Sequence, residues 1–592
     1  MDKMYLQAIH TILCVSVEND VVLDRWKPTI STLIEKIEGK PYIHKYRTIH
    51  IIESDIQFLS KQIYVLGMMR TAEKYSLITD QQYGARNRRQ CQSAYINKIC
   101  YYDISRQKIM DSAFLDDDAK ACYDRIVTRL SEVEVQKWGV SRKAAKFTTK
   151  FLHNQVFYLK TAHGVTKQSY KYTKDSRIQG SGQGIGWAGP RWTASSDTIS
   201  NIMAEKCTGM KFCDPTITIE IKRNGDFFVD DLDIGVTYDA IDDKTKTTAQ
   251  CLQEDEQIHS LVLNGIGHCL NPIKTSYYDL VYKREGIKHV QMRSDENPGD
   301  LQLQVEFGGE YKRIKRLEPD VASKALGVFL APNGVYSKQY EMLDKKLRKW
   351  HRNVKASSLS SREKLVAYHG YILRGIIYII SATNFTKAQC DKLQKILSPI
   401  LYNAYRVQRH ASRTPLYTPK SLGGYGIISI YHLQGIEKIK FYFMHRRLND
   451  TTGQLLNIST RFTKFELGTS KSFWQLRYGK YQHYITETWT THIWQYLHSC
   501  GTALIDMDFW TYALPKEYDF FLMDVVFDSN LSIFHKQVFN QIRMYMKVLT
   551  ASDLIIDGTN KLKENIIGCK SPLTSSFGFP YIKPFPSHWI HI

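Results

Sequence analysis

The stretch GDFFVDDLDIGV, residues 225–236, sets two carboxylates, Asp230 and Asp231, side by side between two runs of strand-forming residues. The tripeptide RNG at 223–225 is a turn signal just ahead of it. Like charges at the end of a strand repel, and burying even part of them is costly unless something positive offsets them. Two readings are open. Asp is common in solvated turns, so the pair can mark a hairpin and nothing more. Alternatively the pair holds a hard divalent cation that cancels the repulsion. The pair alone does not decide between them.

Composition narrows the choice. The chain has 592 residues, too long for one ordinary core, and 43% of them are hydrophobic, enough for several globular domains. Its formal net charge is +21 and its pI about 9.2, a physical argument for an acidic polymer partner, chiefly nucleic acid. Aromatics at 12% add stacking surface that bases can use. The eleven Cys are scattered with no Cys-x-x-Cys and no zinc spacing, which reads as reduced thiols in an intracellular protein of the nucleus or cytoplasm, not a secreted one. The N-terminal twenty residues carry no convincing signal peptide, and the longest apolar run, GIIYIIS (375–381), is far too short to span a membrane.

Upstream of the Asp pair, FLDDDAKACYDRIV (114–127) ends an apolar strand in three carboxylates and places Tyr123 five residues after Asp118. A helix is expected over the residues that follow, and residues 138–170 read as helical and basic. Next comes the Gly-rich QGSGQGIGWAGP (179–190), which lacks the Lys-Ser/Thr of a P-loop. Downstream, GIGHCLNPIKTSYYDL (265–280) puts Lys274 after an Asn-Pro turn. Two acidic strand ends of this kind can converge on two divalent ions about 4 Å apart, the arrangement used for nucleotidyl transfer.

Beyond about residue 320 the chain reads as helical. Capping boxes are expected at Ser360–Glu363 and Thr386–Gln389. YEMLDKKLRKW (340–350) puts Leu343, Leu347 and Trp350 on one face and Lys345, Lys346, Arg348 and Lys349 on the others, a basic face suited to a phosphate backbone. Residues 438–484 interleave basic and aromatic residues, as in KIKFYFMHRRLND, with Arg446 and Arg447 as candidate nucleic-acid contacts; an ordinary amphipathic helical domain is the competing reading.

In this order the motifs resemble the reverse transcriptases of retroelements without long terminal repeats (LINE-like), and also those of group II introns. LDDDAKACYDRI resembles their first acidic motif, GQGIGWAGP their Gln-Gly…Pro loop, FVDD their aromatic-x-Asp-Asp hairpin and LNPIKT their Leu-Asn-x-x-Lys-Thr segment. YRTIHII (46–52), DQQYGARNRRQ (80–90), KALGVFLAPNG (324–334) and PKSLGGYGI (419–427) are similar to flanking segments of the same family. The loop before Pro190 is one residue longer than usual, with Gly189 where Ser is often found, and Arg88 stands where Gly is frequent.

The resemblance implies an α+β right-hand polymerase: an antiparallel palm sheet backed by helices, with fingers and a helical thumb, plus a mainly helical C-terminal extension. Its divisions would be fingers at 1–111, palm at 112–130 and 177–318 joined by a connection at 131–176, thumb at 319–430, and a basic-aromatic extension at 431–592. It implies an RNA-directed DNA polymerase that extends a DNA or RNA primer on an RNA template with deoxynucleoside triphosphates. Two Mg²⁺ ions, with Mn²⁺ able to substitute, would be held by Asp118, Asp230 and Asp231. Asp116 and Asp117 would be strand-end neighbours rather than ligands. Tyr123 would be the gate against a 2′-hydroxyl, Gln183 and Gly184 would line the nucleotide, Lys45, Arg47, Arg86 and Arg89 would contact triphosphate or template, and Lys274 would act on the pyrophosphate. No ribonuclease H acidic set or zinc knuckle is apparent, so further domains or host nucleases are expected partners. A non-catalytic, maturase-like RNA-binding relative is the competing reading. An RNA-dependent RNA polymerase is another, disfavoured because those carry Asp where this chain has Tyr123.

Overall fold

In the computed structural model, residues 3–36, 39, 42, 46–87, 89–120, 122–173, 180–408, 410–504, 519–556, 559 and 561–563 are described. The strands in chain order are β1 (Pro28–Glu35), β2 (Tyr46–Ile51), β3 (Ser112–Asp118), β4 (Val156–Thr161), β5 (Gly164–Lys171), β6 (Met210–Cys213), β7 (Glu220–Arg223), β8 (Gly225–Phe228), β9 (Asp231–Thr237) and β10 (Ser276–Leu280). The short β11 (Tyr282–Glu285), β12 (Lys288–Gln291), β13 (Gln302–Gln304), β14 (Tyr311–Arg313), β15 (Lys315–Arg316), β16 (Ser323–Ala325) and β17 (Val328–Leu330) follow. Helices dominate from Ser337 onward, so the architecture is α+β as expected.

The acidic motif Ser112–Asp118 is the middle strand of a five-stranded sheet of order β15-β10-β3-β9-β8. It pairs antiparallel with β10 on one side and β9 on the other. Alternation then sorts its side chains to two faces. Phe114 joins the cluster built on the helix Cys91–Lys108, with Tyr95, Ile99 and Tyr102. Ala113 and Leu115 join the cluster of the helices Ala188–Lys206 and Thr248–Gly265, with Ile199, Met203, Leu252 and Leu263. A sheet covered on both faces buries its strands almost completely, which is why AFL (113–115) is apolar throughout and why the acidic end of the strand stands out.

A second sheet, β2-β1-β4-β5, lies in the first third of the chain, with β1 and β4 parallel. Here the sequence expectation was wrong: only Arg142–Asn154 of the basic 138–170 stretch is helical, and 156–171 forms the β4–β5 hairpin. The helix expected after Asp118 is also broken, into the turn Cys122–Arg125 and the helix Thr128–Lys137. Both expected capping boxes form. Leu343, Leu347 and Trp350 are buried, as the helical stripe required.

The C-terminal region departs further from expectation. Phe441, Tyr442, Phe473, Trp474 and Tyr478 are buried in the same cluster as Tyr95 and Phe114. These rings are core, not stacking platforms, and the helix Thr451–Leu467 packs onto the helix that backs the sheet. Among the described residues every cysteine is a free thiol, and no helix is long and apolar enough to cross a membrane.

Candidate metal centre

The β8–β9 hairpin pairs Phe228 with Asp231, leaving Val229 and Asp230 as its two-residue tip. Val229 has φ +61°, a left-handed conformation unfavourable for a β-branched residue and worth about 1–3 kcal/mol of strain. Its surroundings hold it there. The Trp192 indole N–H donates to the Val229 carbonyl, and Gly84 leaves no Cβ where one would come within 2.4 Å of the Val229 nitrogen. The segment that carries Gly84 is itself laced to β8: Tyr83 donates to Phe227 O at 2.8 Å, and Phe227 donates to Gln81 O at 2.8 Å.

Pairing of β3 with β9 sets Asp118 opposite Asp231 and Asp116 opposite Asp233. Because side chains alternate, these four carboxylates form two rungs on one face, and Asp117 points to the other. The inner rung is neutralised from within. Lys98, on the helix Cys91–Lys108, bonds Asp116 and reaches Asp233 at 2.8 Å, and its own side chain is 2% exposed. Burial pulls the ammonium pKa down, but Asp116 and Asp233 outweigh it and hold Lys98 charged well above the ordinary lysine value.

The outer rung has no such partner. Lys274 donates to Asp118 Oδ2 at 2.7 Å, but its side chain is 62% exposed. Asn271 Nδ2 adds a bond to the same oxygen at 3.2 Å. Burial, reinforced by Asp118, pushes the Asp230 carboxyl above its ordinary value. Burial together with Asp230 and Asp118 pushes Asp231 up to about 6, although much of this residue faces solvent. The carboxylates of Asp118, Asp230 and Asp231 do not all close to within 4.8 Å of one another. Lys274 holds Asp118 to itself.

Tyr123 sits beside this rung. Its ring packs with Val229 against Ala119, Cys122, Ile126 and Trp192. Burial raises its hydroxyl pKa, with further contributions from Cys122 and Asp230, while Arg47 on β2 lowers it. The Gly-rich loop touches the same turn, Ser181 N donating to Tyr123 O at 2.9 Å. The loop then crosses to β2, where His50 N donates to Gln183 O at 2.7 Å. Gly184, at φ +102°, leaves space that a Cβ would fill at 2.8 Å from His50 O. Lys274 bonds Asp118, Asp118 stands opposite Asp231, and the loop of Gln183 and Gly184 joins the Tyr123 turn to the strand of Arg47.

Other expected contacts are already engaged. Arg86 is 5% exposed and bonds both Glu73 oxygens at 2.8 Å, with Thr79 O and Gln82 O taking Nη1, so it ties the 80–84 segment in place rather than reaching a triphosphate. Arg89 bonds Asp80 at 2.6 Å and lies over the Tyr83 ring. Arg348 bonds Asp344 on its own helix, whereas Lys345, Lys346 and Lys349 are exposed. Arg446 lies over the Tyr442 ring and bonds its hydroxyl, while Arg447 is exposed. Lys45 and Arg88 lie outside the described residues.

Sequence reasoning missed Lys98, which reads as an ordinary helix residue. It also passed over a second cluster. Asp117, Glu256 and His259 bring one ligand atom each to within 4.8 Å of one another, a set able to hold a divalent cation. Glu256 and His259 stand at i and i+3 of EQIH, a metal-ligand spacing that was legible in the sequence.

No family model and no curated protein matches this chain. Among solved structures it is similar to telomerase from Candida albicans in complex with the TWJ fragment of telomeric RNA, at 11% identity and TM-score 0.36, over 76% of this chain and 64% of that one. It is also similar to apo telomerase from Candida tropicalis truncated from its C-terminal domain, at 12% identity and TM-score 0.30, over 45% and 52%. The chain thus spans less than two thirds of these proteins, and likeness of this degree is too weak to define a fold or function.

Proposed function

We propose that the chain is an RNA-directed DNA polymerase of a retroelement, extending a DNA or RNA primer on an RNA template. The observation that carries this reading is the contrast between the two rungs: a buried Lys98 bonds both Asp116 and Asp233, whereas the one cation bonded to the outer rung among the described residues, Lys274 on Asp118, is 62% exposed. Asp118, Asp230 and Asp231 would hold two Mg²⁺ ions, or Mn²⁺. Such ions supply an attacking hydroxyl of lowered pKa and neutralise a leaving pyrophosphate.

The chain's own residues do the rest. Lys274, on an exposed side chain beside Asp118, would offer its charge to the leaving group. The Tyr123 ring, packed against the turn after Asp118, excludes a 2′-hydroxyl by bulk. Gln183 and Gly184, pinned to β2, line the nucleotide, and Arg47 offers a charge from the same strand. We assign fingers to 1–111, palm to 112–130 and 177–318, and thumb to 319–430. The exposed Lys345, Lys346, Lys349 and Arg447 remain candidates for phosphate contacts, and an intracellular location follows from those substrates.

Primer extension on poly-rA/oligo-dT, with and without Mg²⁺, tests the reading. Metal-dependent dTTP incorporation is expected; template binding without extension would favour the maturase-like alternative, and a preference for UTP the RNA polymerase. Tyr123→Ala should raise UTP relative to dTTP incorporation by at least about tenfold, and Tyr123→Phe should not, because bulk does the excluding. Unchanged selectivity in the Ala variant would reduce Tyr123 to a core residue. Arg447→Ala should lower the salt slope of template binding by roughly one unit per lost phosphate contact, and Arg446→Ala, whose side chain stacks on Tyr442, should leave it unchanged.

A further inference from the structure

We propose that Asp117, Glu256 and His259 form a structural site for one divalent transition-metal ion, zinc in the first instance. The site is buried behind β3 on the face opposite the two rungs, and it stands whether or not the polymerase reading does. Asp117 is 5% exposed, Glu256 0% and His259 2%. His259 Nδ1 lies 3.4 Å from Asp117 Oδ2 and 3.3 Å from Glu256 Oε1. These separations are longer than charge-assisted N–H···O bonds, which run at about 2.7–2.9 Å. The His259–Glu256 contact is at most a long hydrogen bond; both separations fall at the edge length, roughly 3.3–3.4 Å, of a tetrahedron whose metal–ligand bonds are about 2.0–2.1 Å, and the third lies within 4.8 Å.

Hydrogen bonding alone leaves the cluster incomplete. A single imidazole nitrogen carries at most one hydrogen and faces two carboxylates, so it can serve only one of them. Asp117 Oδ2 and Glu256 Oε2 are buried with no hydrogen-bond partner. A cation accepts electron pairs from all three groups at once. The second Asp117 oxygen is already tied down, by Asp118 N at 2.7 Å and Thr275 Oγ1 at 3.1 Å, the outer support that fixes a ligating carboxylate. One imidazole and two carboxylates suit zinc, manganese or ferrous iron, with a further small ligand completing the coordination. The ion would clamp the helix Thr248–Gly265 to the residue just before Asp118, making the trio positioning residues for that strand end.

The test uses the full chain, grown with zinc, purified without metal-affinity resin and dialysed against EDTA, with metal read by elemental mass spectrometry. One zinc per chain is expected to survive, and Co²⁺ loading should give the strong visible bands of a tetrahedral site. Glu256→Gln, nearly isosteric, should lower zinc retention at least about tenfold. Asp230→Asn should retain zinc fully, which separates this site from the outer rung. Only trace metal in folded wild-type protein, absent tetrahedral cobalt bands, or wild-type retention by Glu256→Gln would each overturn the proposal. Because the wild type is measured directly, a variant that fails to fold cannot hide the answer, and loss of primer extension has no bearing on it.

Discussion

Two rungs of the same ladder, Asp116–Asp233 and Asp118–Asp231, are built from one residue type, on the same two strands, two residues apart. They differ in where their counter-charge comes from. The inner rung meets a buried lysine from the helix that covers the sheet; the outer rung emerges where that cover ends and meets a lysine that is mostly in water. An acidic cluster therefore has no fixed meaning. It is structural where the chain supplies the cation and available for an external one where the chain does not.

The largest effect should come from exchanging the rungs' fates. Asp118→Asn or Asp230→Asn should lower primer extension at least about a hundredfold, since each removes charge where an ion would be held, with folding unimpaired. Asp116→Asn should do the reverse: it leaves Lys98 with one partner and lowers stability, while folded molecules keep activity. Equal activity losses in Asp118→Asn and Asp116→Asn, at equal stability, would erase the distinction.

Next in size is the lysine comparison. Lys98→Met leaves two partly buried carboxylates with no cation bonded to them, and breaking a pair with one buried partner costs up to about 3–5 kcal/mol. Lys274→Met removes an exposed partner and should cost less than about 1 kcal/mol. Urea denaturation of the two variants measures the gap. If they unfold at similar denaturant concentrations, Lys98 is not the internal counter-ion described here.

The same contrast explains what the sequence made legible. Local signals were readable: the FVDD hairpin, the capping boxes at Ser360 and Thr386, and the buried stripe of Leu343, Leu347 and Trp350. What failed depends on distant partners. The β4–β5 hairpin was lost because Val156–Thr161 is a strand by virtue of pairing with β1, well over a hundred residues away. For the aromatics of 438–484 both nucleic-acid surface and an ordinary helical core stayed open, because composition cannot tell which side of a helix is covered; Phe441, Tyr442, Phe473, Trp474 and Tyr478 are buried. Lys98 could not be connected to Asp116 and Asp233 without the sheet. The alternation of Asp116, Asp117 and Asp118 between faces was readable once β3 was identified as a strand, and it would have removed Asp117 from the strand-end turn.

The smallest effect concerns pH, and it separates the rungs by their response to Mg²⁺. Asp231 is pushed up to about 6, from an ordinary value near 3.9 when unfolded. A carboxyl whose folded pKa is raised binds more protons in the native state between those values. Its stabilising contribution is therefore fully present below about pH 4 and is lost as pH rises through about 6. Above that range Asp118, Asp230 and Asp231 repel one another. Since Asp231 is largely exposed, solvent screens the effect to below about 1 kcal/mol. Mg²⁺ should substitute for the lost proton, raising the denaturation midpoint near pH 7 and much less near pH 5. The inner rung titrates as well, since burial, partly offset by Lys98, pushes Asp233 up to about 7, but Lys98 already occupies the position a cation would take. Asp231→Asn should thus abolish most of the Mg²⁺ response, whereas Asp233→Asn should change stability and leave that response in place. A Mg²⁺ shift that survives Asp231→Asn but not Asp233→Asn would mean that the cation binds the inner rung, and the assignment of the two rungs would have to be reversed.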